Sequence, residues 1–459
     1  MAEDFNNTNE QDDAYALNRG LVDAVLRAVD NDSQSELLQV FEGLHEADIA
    51  DMLEQITPED RRRVMRLWGD RVDGEVLTEL EEGVRDEIME ETPDEVLAEA
   101  VKDLDTDDVV YLVEDLEQPQ QEKLLESLDD ADRVAVEQSL SHDEDTAGRL
   151  MQREMVIAPQ HWNVGDTIDF MRAAEDLPQD FYDVIVVDSA MHPVGTVPLG
   201  KLMGAGREVS LTALMSEDFR AIPVDQPEED VAYAFNQYHM VSAPVVDKNG
   251  RLVGVITIDD AMEILEDEAE EDMKLLAGVG DEELSSSVWE ITKLRFPWLA
   301  VNLVTSILAS IVIAQFTDTI NALVALAVLM PIVASMGGNA GTQTLTVAVR
   351  ALATRDLTSA NAYRIILREA MVGLANGLLF AVVIGVIGAL WYDNAMLGVV
   401  LGLAMIGNLF VAGLAGILVP IGLEKLGADP ALASGAFVTT VTDIFGFFTF
   451  LGLAALILL

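Results

Sequence analysis

The sequence predicts a multidomain protein: an all-α helical-repeat N-terminal domain, a duplicated α/β unit, a connecting helix and a five-helix α transmembrane domain. Three observations predict it. The chain of 459 residues carries a net charge of −54, all of it before residue 292. The remainder is neutral and reads as long apolar runs, each near the ~20 residues that a helix needs to cross a bilayer. Ahead of those runs, one strand–turn–strand pattern occurs twice.

From residue 292 onward there are seven Lys/Arg and seven Asp/Glu, so the first 291 residues hold 74 acids and 20 bases. A region this acidic argues against nucleic acid and favours cations as partners. A surplus of this size is also what adaptation to a salt-rich host produces, so individual acids must be chosen by position. There is no cysteine, which excludes disulfides, thiolate metal sites and thiol catalysis. Residues 1–13 are polar and acidic, without the pattern of a signal peptide. The five histidines (His45, His142, His161, His192, His239) are scattered. No nucleophile–base pair and no GxxxxGK[ST] phosphate loop occurs, so an enzyme is not expected.

Residues 1–19 read as a disordered acidic tail. Residues 20–145 read as an acidic helical domain. Apolar residues recur there at spacings of three and four, as in Leu37, Leu38, Phe41, Leu44 and Ile49, Met52, Leu53, Ile56. The segments are short and separated by turns such as Thr57-Pro58-Glu59-Asp60 and Thr92-Pro93-Asp94-Glu95. In both, Thr is expected to cap the next helix while Pro takes its first position. The units repeat loosely, as in a helical solenoid.

The rhythm then changes. Asp183-Val184-Ile185-Val186-Val187-Asp188 is a buried-strand pattern, followed after a turn by Pro193-Val194-Gly195-Thr196-Val197. The same grammar returns 59 residues later, as Ala243-Pro244-Val245-Val246-Asp247 and Leu252-Val253-Gly254-Val255-Ile256. An amphipathic helix precedes each copy and another helix follows it. The duplication resembles a tandem pair of CBS domains, at 146–215 and 216–265. Such pairs are regulatory, bind nucleotides or ions and do no chemistry, which makes ATP a candidate ligand here. A connecting helix and linker fill 258–287, overlapping the end of the second copy.

The transmembrane domain takes 288–459, with spans at about 296–316, 320–349, 370–391, 397–423 and 431–459. Lys293 and Arg295 precede the first span, Arg350, Arg355, Arg364 and Arg368 lie between the second and third, and Lys425 lies between the fourth and fifth. The other two loops carry no base. The positive-inside rule therefore makes the acidic half cytoplasmic and the C-terminus external, in a cell membrane.

An ionisable group inside a span is expensive and usually functional. The last span contains one acid, Asp443, more than ten residues from either end. The second contains Pro331 and then Gly337-Gly338-Asn339-Ala340-Gly341-Thr342-Gln343. Pro and Gly are expected to loosen this helix and free its carbonyl groups; close packing of small residues between helices is the other reading. Asn339 and Gln343 share a face. The membrane half offers only hard oxygen ligands, which suit magnesium, calcium or manganese and hold a largely hydrated magnesium ion. On the connecting helix, Asp260, Glu263, Asp267 and Glu271 fall within about 80° of one another, and Glu268 and Asp272 widen the stripe. Such a face needs cations or basic partners.

With these residues the resemblance becomes specific. The order of parts is similar to that of the MgtE family of magnesium transporters, over nearly the whole chain after the tail. It rests on Gly337-Gly338-Asn339-x-Gly341-x-Gln343, on Arg350-Ala351-Leu352-Ala353-Thr354-Arg355-Asp356-Leu357, and on Asp429-Pro430-Ala431. Thr442-Asp443 followed by Gly446, the run from Thr257 to Asp272, and Glu144-Asp145-x-Ala147-Gly148-x-Leu150-Met151 add to it. The resemblance implies a homodimer with a central magnesium pore. In it, Asp443 would hold the ion, and Gly338 and Asn339 would shape its path. Asp260, Glu263, Glu268, Glu271 and Asp272 would form regulatory magnesium sites, with Asp105, Asp107 and Asp108 as partners in the helical domain. Internal magnesium would close the pore by bridging these acids. The alternatives are a proton-coupled secondary transporter of cobalt, manganese or another cation, working through Asp443, and a membrane-tethered sensor without transport.

Overall fold

The computed structural model of the protein describes residues 17, 19–102, 104–114, 116, 118–174, 177–178, 181–280, 282, 287–432 and 435–459. The tail at 1–19 and the linker at 281–287 lie almost entirely outside them. The chain forms two compact units, Met1–Glu266 and Asp267–Leu459.

The first unit opens with short helices, from Arg19–Asp30 to Asp130–Ser139. Their apolar faces close one core around Leu37, Met52, Leu53, Val64, Leu77, Leu112 and Val113. Each such side chain withdrawn from water contributes roughly 1.5–3 kcal/mol before entropy is charged against it. Helix starts are fixed by side chains that satisfy free backbone N–H groups. Ser33 accepts from Glu36, Thr57 from Asp60, and Asp129 from Ala131 and Asp132. The second Thr-Pro turn departs from expectation. Pro93 itself takes the N-cap position of Asp94–Ala100, and Thr92 ends the preceding helix, its hydroxyl donating to Ile88 O at 2.6 Å. A threonine beside the last turn finds a free carbonyl behind it as readily as a free N–H ahead.

Two three-stranded sheets follow. β1 (Val156–Pro159), β2 (Asp183–Val187) and β3 (Pro193–Pro198) lie in that order, as do β4 (Ile222–Pro223), β5 (Ser242–Val246) and β6 (Leu252–Thr257). In each, the first pair is parallel and the second antiparallel. Parallel neighbours need a long crossover, supplied by Val164–Ala173 in one copy and Glu228–Tyr238 in the other. The 59-residue offset holds register by register: Asp183 pairs with Pro198 as Ser242 pairs with Thr257, and a bulge falls after Val186 as after Val245. Gly195 and Gly254 are related by the same offset. A Cβ on either would press against a methionine sulfur at 2.8 Å, that of Met215 or Met151. The copies meet through Ile185, Val187, Leu252 and Val255, and Ser242 donates to Asp183 at 2.8 Å.

The connecting helix is continuous from Ile258 to Ala277 and passes from the first unit into the second. The second unit contains five helices long and apolar enough to cross a membrane: Val288–Ala314, Ala325–Ala353, Ala362–Trp391, Ala395–Lys425 and Gly435–Ile457. Polar caps move the ends from their expected places. Ser287 and Glu290 form a capping box that starts the first span eight residues early. Asn394 accepts from Met396 and Leu397 at the start of the fourth. The polar run after the first span forms its own short helix, Thr317–Ala322, so the second span begins at Ala325.

Candidate ion pathway and regulatory acids

The glycine-rich stretch of the second span does not loosen its helix. Ala325–Ala353 is unbroken through Pro331 and all three glycines. The glycines are contact points instead, as the small-residue packing reading had it. Gly337 lies against Asn408 of the fourth span and Thr442 of the fifth, Gly338 against Thr439, and Gly341 against Val438. Without a Cβ the helices approach closely, and dispersion between them replaces the hydrophobic force that lipid does not supply. Gly338 is therefore buried in a helix contact rather than open to a pathway.

The opposite face is polar. Ser335, Asn339, Gln343 and Thr346 are spaced along one side of the second span and exposed, while Val333, Gly337, Gly341, Leu345 and Ala348 fill the buried side. Only Asn339 and Gln343 stood out in the sequence; continuing their spacing by a turn each way finds the other two. On the fifth span, Asp443 is half-buried. Its carboxylate, like the amides of Asn339 and Gln343, has no hydrogen bond or ion pair with any described residue. The neighbouring hydroxyls donate within their own helix, Thr439 and Thr440 to Ala436 O at 3.1 and 2.6 Å, and Thr442 to Thr439 O at 3.0 Å.

The first unit gathers a second group. Glu154 fixes the start of the helix Thr106–Glu114: Thr106 donates to it from N at 3.1 Å and from Oγ1 at 2.8 Å. Gln152 donates to Asp105 at 3.1 Å, and Arg149 pairs with Glu114 at 2.9 Å. These contacts join the helical domain to the segment leading into β1 and bring Asp107 and Asp108 under the influence of Asp260. Asp107 is pushed well above the usual carboxylate range by burial, then by the charges of Asp260, Asp108 and Asp105. Asp108 is pushed up to about 7 by burial, then by Asp260, Asp105, Glu263 and Glu75. Burial and Asp259 raise Asp260, against two hydrogen bonds donated by Thr257, at 3.2 and 2.9 Å. Both aspartates of the helical domain keep some exposure, so water or a hydrated ion reaches them.

Five of the sequence-chosen regulatory acids, Asp105, Asp107, Asp108, Asp260 and Glu263, thus act on one another. Glu268, Glu271 and Asp272 lie on the second half of the connecting helix, in the other unit. No group of three or more His, Asp or Glu among the described residues has the spacing of a closed metal site. The donor set is all hard oxygen under mutual repulsion, which fits a hydrated magnesium ion bound through few direct contacts. Within the second unit, Leu275 and Leu276 at the end of the connecting helix pack against Leu345 and Val349 of the second span and Val438 of the fifth. Sequence reasoning missed Glu154, Thr106 and those two leucines. No local motif marks them; they matter only through what they touch.

Five apolar helices, an interior carboxylate and a polar stripe define a multi-pass membrane transporter of cations. The comparisons make that particular. The profile described as "MgtE: Divalent cation transporter" matches residues 330–453, that of the MgtE intracellular N domain residues 44–145, and that of the CBS domain residues 211–267. "Magnesium transporter MgtE" of Enterococcus faecalis is 33% identical over 70% of this chain and 71% of its own. That of Thermus thermophilus is 34% identical over 71% of this chain and 73% of its own. The chain belongs to the MgtE family of magnesium transporters. Among solved structures, the cytosolic domain of the Mg2+ channel MgtE in complex with ATP is 28% identical, covering 53% of this chain and 99% of that one, with a TM-score of 0.49.

Proposed function

We propose that this chain conducts magnesium passively into the cell as a homodimer and that internal magnesium closes it. One observation carries the reading: a stripe of Ser335, Asn339, Gln343 and Thr346 stands exposed on a helix whose other face is packed, with Asp443, unpaired among the described residues, on the adjoining span. Polar side chains at membrane depth are costly against lipid. A second copy across a two-fold axis would enclose both stripes and bring two Asp443 carboxylates to one path. Asp443 then attracts the ion, Asn339 and Gln343 hold part of its water shell, and Gly338 lets the helices come close enough to shape the wall. The bases at one set of loops support an orientation with the acidic half in the cytoplasm and the C-terminus outside. Catalysis has no part in this function.

Gating follows from the acids. Asp107, Asp108 and Asp260 have raised protonation, Asp105 and Glu263 add to the negative charge around Asp108, and this supports an arrangement short of positive charge. Magnesium supplies that charge. Glu268, Glu271 and Asp272 extend the same demand along the connecting helix, whose last turn rests on the second and fifth spans. A ligand moves an equilibrium only by binding one state better than the other, and acids that repel one another without the ion meet that condition. ATP at the paired CBS domains would act on the same equilibrium.

The test is magnesium uptake by purified protein in liposomes under a voltage clamp. Uptake that follows the electrochemical gradient, is unchanged by a pH gradient and is lost in Asp443→Ala supports the proposal. Uptake that needs a proton gradient assigns a coupled transporter instead, and no uptake at all leaves only the sensor.

A further inference from the structure

Asn408, in the middle of the fourth span, has no part in the reading above, yet it is fully buried. Its Nδ2 donates to the carbonyl of Val333 on the second span at 2.8 Å. That bond fixes the amide's orientation, since only the nitrogen can donate to a carbonyl. Oδ1 is left buried with no hydrogen-bond partner among the described residues. The amide lies in a slot between two glycines. A Cβ on Gly337 of the second span would collide with it, and a Cβ on Gly446 of the fifth would come within 2.8 Å of Nδ2 and 3.2 Å of Oδ1. Val333 and Gly337 are on the packed face of the helix that carries Asn339, and Gly446 is three residues beyond Asp443.

Packing alone does not account for an amide here. Leucine has the same branched shape and would fill the slot without an unmatched oxygen, whose burial costs stability. What the amide adds is direction: a hydrogen bond fixes the second span against the fourth at one height and rotation, while the same group sets how near the fifth can come. We propose that Asn408 is a positioning residue for ion selectivity, holding the second and fifth spans at the separation that admits magnesium with its water shell. The proposal rests on the reading of those two spans as walls of the pathway. It assigns Asn408 no contact with the ion.

Three variants of the full chain, Asn408→Leu, Asn408→Ser and Asp443→Ala, reconstituted in liposomes, test it. The readout is the ratio of initial magnesium to calcium uptake, alongside the yield of monodisperse protein. Asn408→Leu keeps the volume and loses the donor; its ratio is expected to fall about tenfold, the consequence of moving one buried hydrogen bond's worth of preference between ions. Asn408→Ser keeps a donor in less volume and should fall less. An unchanged ratio in a well-folded Asn408→Leu overturns the proposal, as does failure of both Asn408 variants to fold, which would give the residue a folding role alone. If Asp443→Ala conducts like the parent chain, the pathway assignment is what fails, whatever the Asn408 ratios show.

Discussion

The two halves of this chain use charge in opposite ways. The first 291 residues hold 74 acids, and the acids that matter act as a group: Asp108 is raised by four other carboxylates besides its burial. The membrane half has seven acids in 168 residues, and one, Asp443, lies deep in a span. Where water and counter-ions are at hand, a single charge is screened and replaceable. Where they are excluded, one polar group decides what the surrounding helices can do. The membrane half should therefore fail at single residues, and the soluble half should yield by degrees.

The largest effect is expected from removing the one deep charge. Asp443→Asn keeps the shape and should lower magnesium uptake roughly 100-fold, taking a charge-assisted contact as worth up to about 3 kcal/mol. Asp107→Asn, the same change in the soluble cluster, should leave maximal uptake intact and shift the closing magnesium concentration only a few-fold. Comparable losses in both variants, measured as liposome flux, would break the contrast. Next comes Gly337→Ala. The added methyl meets Asn408, which cannot retreat while bonded to Val333. Overpacking of this kind costs roughly 1–3 kcal/mol, and thermal unfolding in detergent should show it. Ala substituted for Gly200, whose Cβ would meet nothing within 4 Å, is the control from the soluble half and should unfold within a degree or two of the parent.

Much of this contrast was legible in the sequence. Hydropathy gave five spans because a bilayer demands apolar length, and the 59-residue repeat gave the paired sheets because side-chain alternation is local. Asp443 stood out because an acid in an apolar run is costly, and a protonated acid hydrogen-bonded to a neighbouring helix was the only other reading of it. The glycine stretch misled in part: glycine lowers helix propensity, but contacts with Asn408, Thr439 and Val438 outweigh propensity in a packed bundle. Thr92 likewise had two backbone partners within reach, and the sequence does not rank them. Glu154 and Asn408 could not be found at all. Each is one polar residue whose meaning comes from a partner dozens of residues away, Thr106 in one case and Val333 in the other.

The smallest effect sharpens the collective side of the comparison. Asp107, Asp108 and Asp260 all have folded-state protonation raised above the usual carboxylate range, Asp108 to about 7. A carboxylate raised in this way binds more protons in the docked arrangement than in the open or unfolded chain. Without magnesium, docking is therefore favoured at low pH and weakens as pH rises from about 4 through about 7. Magnesium and protons compete for the same oxygens. Since protons already relieve part of the repulsion at pH 6, the magnesium concentration that protects the helical domain from proteolysis should be several-fold lower there than at pH 8. Asp108→Asn should flatten that dependence without abolishing protection, since Asp105, Asp107, Asp260 and Glu263 remain. A pH dependence that survives Asp108→Asn undiminished would mean that the titrating group is elsewhere, and that the acids of the soluble half do not act together in the way their mutual shifts require.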